Sequence, residues 1–111
     1  MLDRKYKIIG LKNGKKALTV SFGEGFELLG TFFFVEVNAF EDWIRGNICD
    51  VLEGRAERRD ISGNICELII GKETAEVLDT LAEDGIGKRC TLPTRELLTL
   101  IDEWHERKAL M

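Results

Sequence analysis

Apolar positions recur with two different periods along this chain. Residues 6–11 and 17–22 flank Asn13-Gly14, a strong turn dipeptide. The second run alternates, with Leu18, Val20 and Phe22 on one face and Thr19 and Ser21 on the other. This predicts a β-hairpin. A two-residue loop would pair Lys7 with Val20 and Lys5 with Phe22, which brings charge onto the apolar face. A slip of one residue pairs Tyr6 with Phe22, Ile8 with Val20 and Gly10 with Leu18, and the face stays apolar. A longer or bulged turn is therefore expected, with Gly14 at positive φ.

Gly23 and Gly25 break this pattern. Residues 27–37 contain Phe32-Phe33-Phe34-Val35, a short aromatic and β-branched run that predicts a central strand. Asn38 with Glu41 makes a capping box for a helix starting at Ala39. Phe40, Trp43 and Ile44 fall on one face of it, expected to be buried. Gly46 ends or interrupts that helix, and Ile48, Val51 and Leu52 suggest further turns before Gly54. Residues 55–60 read as a surface connection. Residues 64–70 predict a strand entered through Ser62-Gly63. Residues 73–83 predict a helix with Ala75, Leu78 and Leu81 inward and Glu76 and Asp79 outward, stopped by Gly85. Residues 88–92 predict a short strand ended by Pro93. Thr94 then caps a last helix with the stripe Leu97, Leu98, Ile101 and Trp104. The fold class is α+β, an antiparallel or mixed sheet of about five strands with three helices, in the order β-β-β-α-β-α-β-α. Trp43, Trp104 and Phe32, Phe33 and Phe34 are expected to anchor its core.

At 111 residues the chain is expected to form a single α+β domain over 1–111. With 44% apolar and 32% charged residues it can bury a core without disulfides or metal. No apolar run reaches the roughly 20 residues of a membrane span, and the first residues lack a signal-peptide segment. A soluble cytoplasmic protein, with no membrane partner, is the expectation. Charge is unevenly spread within the net −4. Residues 1–23 carry six bases against Asp3, residues 24–84 carry fifteen acids against five bases, and residues 85–111 are nearly balanced. An acidic centre repels nucleic acid and speeds encounter with a basic partner. The plain alternative is a solvated surface that keeps a small protein soluble.

Candidate chemistry is sparse. Cys49, Cys66 and Cys90 are odd in number and show no C-x-x-C spacing, which argues against a disulfide framework, a zinc knuckle or a redox motif. The one histidine, His105, flanks the apolar stripe of the last helix, with nothing local to make it a general base. Gly23-Glu24-Gly25 and Gly87-Lys88 fail the spacing of the phosphate-binding motifs and read as turns. The adjacent acids Glu41-Asp42, Glu83-Asp84 and Asp102-Glu103 point different ways on the expected helices. No catalytic residue, metal site or cofactor is implied.

Two stretches carry a resemblance. Ser62-Gly63-Asn64-Ile65-Cys66-Glu67-Leu68 and Leu92-Pro93-Thr94-Arg95-Glu96-Leu97-Leu98, the latter running into Leu100 to Trp104, are similar to segments of small acidic bacterial immunity proteins. These are encoded beside polymorphic or contact-dependent growth-inhibition toxins. The resemblance implies a cytoplasmic, non-enzymatic protein that binds one cognate toxin, often a basic nuclease. No binding motif comes with it, so the acidic helix faces are the partner-binding expectation: Glu76, Asp79, Glu83 and Asp84 first, then Glu41, Asp42, Asp50 and Glu53. Two other readings stay open: a homo-oligomeric structural or regulatory protein, a homodimer for instance, and a small enzyme using cysteine and histidine.

Overall fold

The computed structural model describes residues 2–81 and 88–111. Strands β1 (Arg4–Gly10) and β2 (Lys16–Phe22) form a two-stranded hairpin. A long helical segment follows: α1 (Glu27–Phe32), a π-helical turn (Phe33–Val37) and α2 (Asn38–Leu52). Strands β3 (Arg59–Ser62), β4 (Cys66–Ile70), β5 (Thr74–Asp79) and β6 (Arg89–Pro93) make a four-stranded antiparallel sheet in sequential order. Helix α3 (Thr94–Ala109) closes the described chain. The fold is thus α+β with antiparallel pairing; α1 lies between the hairpin and the four-stranded sheet, and α2 and α3 pack on that sheet beside it.

The hairpin keeps the expected apolar face in a different register. Tyr6 pairs with Val20, Ile8 with Leu18 and Gly10 with Lys16, two residues away from the predicted pairing. The turn sets this. Leu11 N–H donates to Lys15 O at 2.8 Å, Gly14 N–H donates to Leu11 O at 3.0 Å, and Gly14 takes φ +80°. A shift of two preserves the faces, which is why the alternation could not distinguish the registers.

Two expected elements are exchanged. Residues 27–37 are helical, not a strand. Leu29, Phe32, Phe33, Glu36 and Val37 are buried, at steps of three and one, while Phe34 turns towards solvent. A helix can bury Phe32 and Phe33 together, whereas a strand would send them to opposite faces. Residues 74–79 are a strand, not a helix. Ala75 and Val77 are buried on one face and pair with Ile70 and Leu68. The β4–β5 turn closes through Gly71 N–H to Thr74 O at 2.9 Å, and sheet pairing on both sides overrides local helix propensity. The rest of the expected 73–83 helix, from Ala82 on, lies outside the described residues.

The core is built on the helical layer. Trp104 is fully buried and stacks at a tilt on Phe33, 5.5 Å between centroids, and Phe33 also meets Phe22 and Phe32. Gly30 lets the hairpin approach: a Cβ there would stand 2.7 Å from Val20 O. Thr94 does not cap α3. Its Oγ1 donates to Gly71 O at 2.6 Å and its N–H to Glu73 O, so it ties the helix start to the β4–β5 turn. Asn38 does not cap either, because it is itself helical and follows the π turn directly.

Candidate functional site: the exposed face of α2

Helix α2 changes direction near its start. Phe40 leaves the helical region at φ −131° and ψ 31°, and its ring turns outward. Phe40 is 38% exposed and Trp43 50% exposed, so neither is a core residue as expected. Only Ile44 of that trio is buried. The two outer rings meet edge to face, 6.2 Å apart. One turn further along α2, the buried Asn47 donates through Nδ2 to the Trp43 backbone carbonyl at 2.8 Å. The inner edges of both rings line the same small gap as Glu36, Ile61 and Gly63.

That gap holds the one acidic side chain that is buried among the described residues. Glu36 sits on the π turn and is 1% exposed. Its carboxylate accepts the backbone N–H groups of Asn64 at 2.8 Å, Ile65 at 3.0 Å and Cys66 at 2.8 Å. Three backbone donors replace the water that a buried carboxylate loses. The 63–66 turn, closed by Gly63 N–H to Cys66 O, is thereby fixed under the aromatic pair. Sequence reasoning missed Glu36. The available signal was one acid inside the apolar run 28–37.

Two grooves adjoin Trp43. One, of about 640 Å³, is lined by Asn38, Phe40, Glu41, Asp42, His105 and Lys108. The other, of about 560 Å³, is lined by Arg45, Gly46, Cys49, Asp50, Arg55 and Arg59. Trp43 and Asp42 belong to both. Most charges here are satisfied within the chain. His105 Nδ1 lies 2.7 Å from Glu41 Oε2, and Arg45 Nε donates to Asp102 Oδ1 at 2.8 Å, so both pairs join α2 to α3. Arg55 holds Asp50 at 2.8 Å and also bonds Glu53. Lys108 donates to Asn38.

Of the second expected set, the structure places Glu41, Asp42 and Asp50 on α2 and Glu53 just past its end, outside both grooves, and several of these acids are paired. It does not gather the first set. As strand residues, Glu76 and Asp79 are three apart and lie on opposite faces of the sheet. Glu76 stands near Arg89 and Thr91 on the side away from the helices, while Asp79 accepts the Leu81 N–H at 2.9 Å. Glu83 and Asp84 lie outside the described residues. Cys66 and Cys90 are buried, and desolvation pushes their thiols up to about 12 and about 11. Only Cys49 is partly open.

Comparison with known proteins supplies the context for this face. An immunity protein of Bacillus cereus is 44% identical over 103 residues, which cover 93% of this chain and 86% of that protein. This chain belongs to that immunity-protein family. No family model matches it, and no solved structure does. Among the described residues no helix is long and apolar enough to cross a membrane.

Proposed function

We propose that this immunity protein neutralises one cognate protein toxin, in the cytoplasm and without chemistry of its own, by binding it through the exposed face of α2. The observation that carries the reading is the outward Phe40–Trp43 pair, backed by Asn47 and by the Glu36 turn, in a chain with an immunity-protein relative. A large amphipathic side chain held in place loses little entropy on binding, and such residues dominate interface energetics. Glu41, Asp42, Asp50 and Glu53 form the charged rim. The net charge of −4 favours a toxin that is basic overall, with a nuclease the leading type, because attraction at long range raises the encounter rate.

The test is direct. The toxin encoded beside this protein's own gene is expressed with and without it, and the complex is titrated calorimetrically. Protection of the cells and a stoichiometric complex are expected, with Trp43→Ala weakening affinity by about 30-fold or more, the factor for a hot spot of about 2 kcal/mol. Absence of both complex and protection would reject the reading.

A further inference from the structure

The charges bordering Trp43 divide into those already satisfied and those still available. Glu41, Arg45, Asp50, Arg55, His105 and Lys108 each have a partner within the chain. Asp42 has no cationic partner among the described residues. Arg59 approaches Asp50 only at 3.4 Å through one terminal nitrogen, which leaves its other donors without a partner among the described residues. Both residues line the groove beside Trp43. They sit on different elements, Asp42 on α2 and Arg59 on the edge strand β3.

These two groups ask for different things. A carboxylate beside an exposed indole suits a cationic side chain, which the ring face and the acid attract together. A guanidinium with unused donors suits a carboxylate, which it can grip with two parallel hydrogen bonds. We infer that the face of the toxin that meets α2 is bipolar, presenting a basic side chain to Asp42 and an acidic one to Arg59 on either side of an apolar depression for Trp43. The inference rests on the proposed toxin-binding role of α2. It adds that close contact is governed by opposite signs, even where a basic toxin is drawn in by net charge.

Stopped-flow and surface-plasmon kinetics with the neighbouring-gene toxin decide this. The variants are Asp42→Asn, Arg59→Gln, Arg59→Glu and Trp43→Ala, each checked for an unchanged denaturation midpoint. Asp42→Asn and Arg59→Gln should each raise the dissociation rate about tenfold, with association changed less than about threefold, because contact pairs act on dissociation and distant charge on association. Arg59→Glu should raise dissociation further. A uniformly basic toxin face would bind Arg59→Glu more tightly than the parent protein, and that result overturns the bipolar inference while leaving toxin binding intact. If Trp43→Ala binds as the parent does, the α2 face falls and this inference with it.

Discussion

Glu36 and Gly63 are fitted to one another: the Glu36 carboxylate fills the space a Cβ on residue 63 would need, with all three of its heavy atoms within 2.5 Å of that position. The contact joins the π turn to the β3–β4 connection. It depends on both members, since the acid needs the three backbone donors and the donors can be reached only past a residue without a side chain.

Substitution at either member should therefore be costly. Gly63→Ala forces the carboxylate out of its cradle, and a loss of about 2–4 kcal/mol is expected, in the range for overpacking combined with disturbed buried hydrogen bonds. Glu36→Ala leaves three N–H groups without their acceptor and should cost at least as much. Glu36→Gln keeps the shape and part of the bonding, so it should fall between the parent and Glu36→Ala. Urea denaturation measures all three, and a Gly63→Ala protein as stable as the parent would refute the fit.

Much of the fold could be read from the pattern of residues, and the two exchanged elements failed for one cause. The hairpin face, the β4 and β6 strands and α3 follow from local signals: Asn13-Gly14, alternation at Cys66, Leu68 and Ile70, and the stripe ending at Trp104. Phe32-Phe33-Phe34 misled because three consecutive aromatics fit a strand covered on both faces as well as a helix whose buried stripe is two residues wide. Residues 74–79 misled because Ala75, Leu78 and Leu81 satisfy a helical period while Ala75 and Val77 satisfy a strand period. Sheet neighbours decided between the two. The α2 face was hidden for a further reason. Spacing places Phe40 and Trp43 beside Ile44, but the break at Phe40, which follows the π turn, rotates both aromatics to solvent.

Acid should act selectively at the junction of β1 and α3. Arg4 forms a two-pronged pair with Glu103, and this holds the Glu103 carboxyl down at about 2, well below its ordinary range. A carboxyl depressed by folding stabilises the native state above its unfolded pKa, near 4.3, and that contribution fades as pH falls towards 2. Stability should drop by about 1–2 kcal/mol across this interval, partial exposure of the pair moderating the effect. The difference between the parent and Glu103→Gln isolates it. The gap between them should be full at pH 6 and nearly closed at pH 2, and a gap independent of pH would refute the assignment.

Thiol chemistry should single out one residue. Burial holds Cys66 and Cys90 far above neutral pH as thiols, and their sulfurs lie within the core. Cys49 borders the arginine-lined groove and contacts Arg45 at 3.5 Å. Native protein treated with a maleimide at pH 7 should therefore take up one equivalent at Cys49, and the other two only after unfolding. Peptide mapping checks this, and early labelling of Cys66 would contradict the packing around Glu36. With the toxin bound, Cys49 should be protected if the α2 face is the interface.

The sharpest separation of stability from function concerns Gly46. It lies inside α2, where glycine is less favourable than alanine by about 1 kcal/mol, and a Cβ added there would meet nothing within 4 Å. Gly46→Ala should therefore raise stability by about 0.5–1 kcal/mol, since it narrows the unfolded ensemble and favours the helix without a clash. Its position also forms part of the wall of the groove shared by Trp43 and Arg59. A toxin side chain packed against that wall would meet the new methyl group. The expected result is a protein that melts higher and releases its toxin faster, the trade-off seen when a helix leaves out a side chain for the sake of a contact. Thermal denaturation and dissociation kinetics on the same preparation read the two effects. Higher stability with unchanged release would place the toxin elsewhere than over Gly46, and lower stability would contradict the open space above this turn of α2.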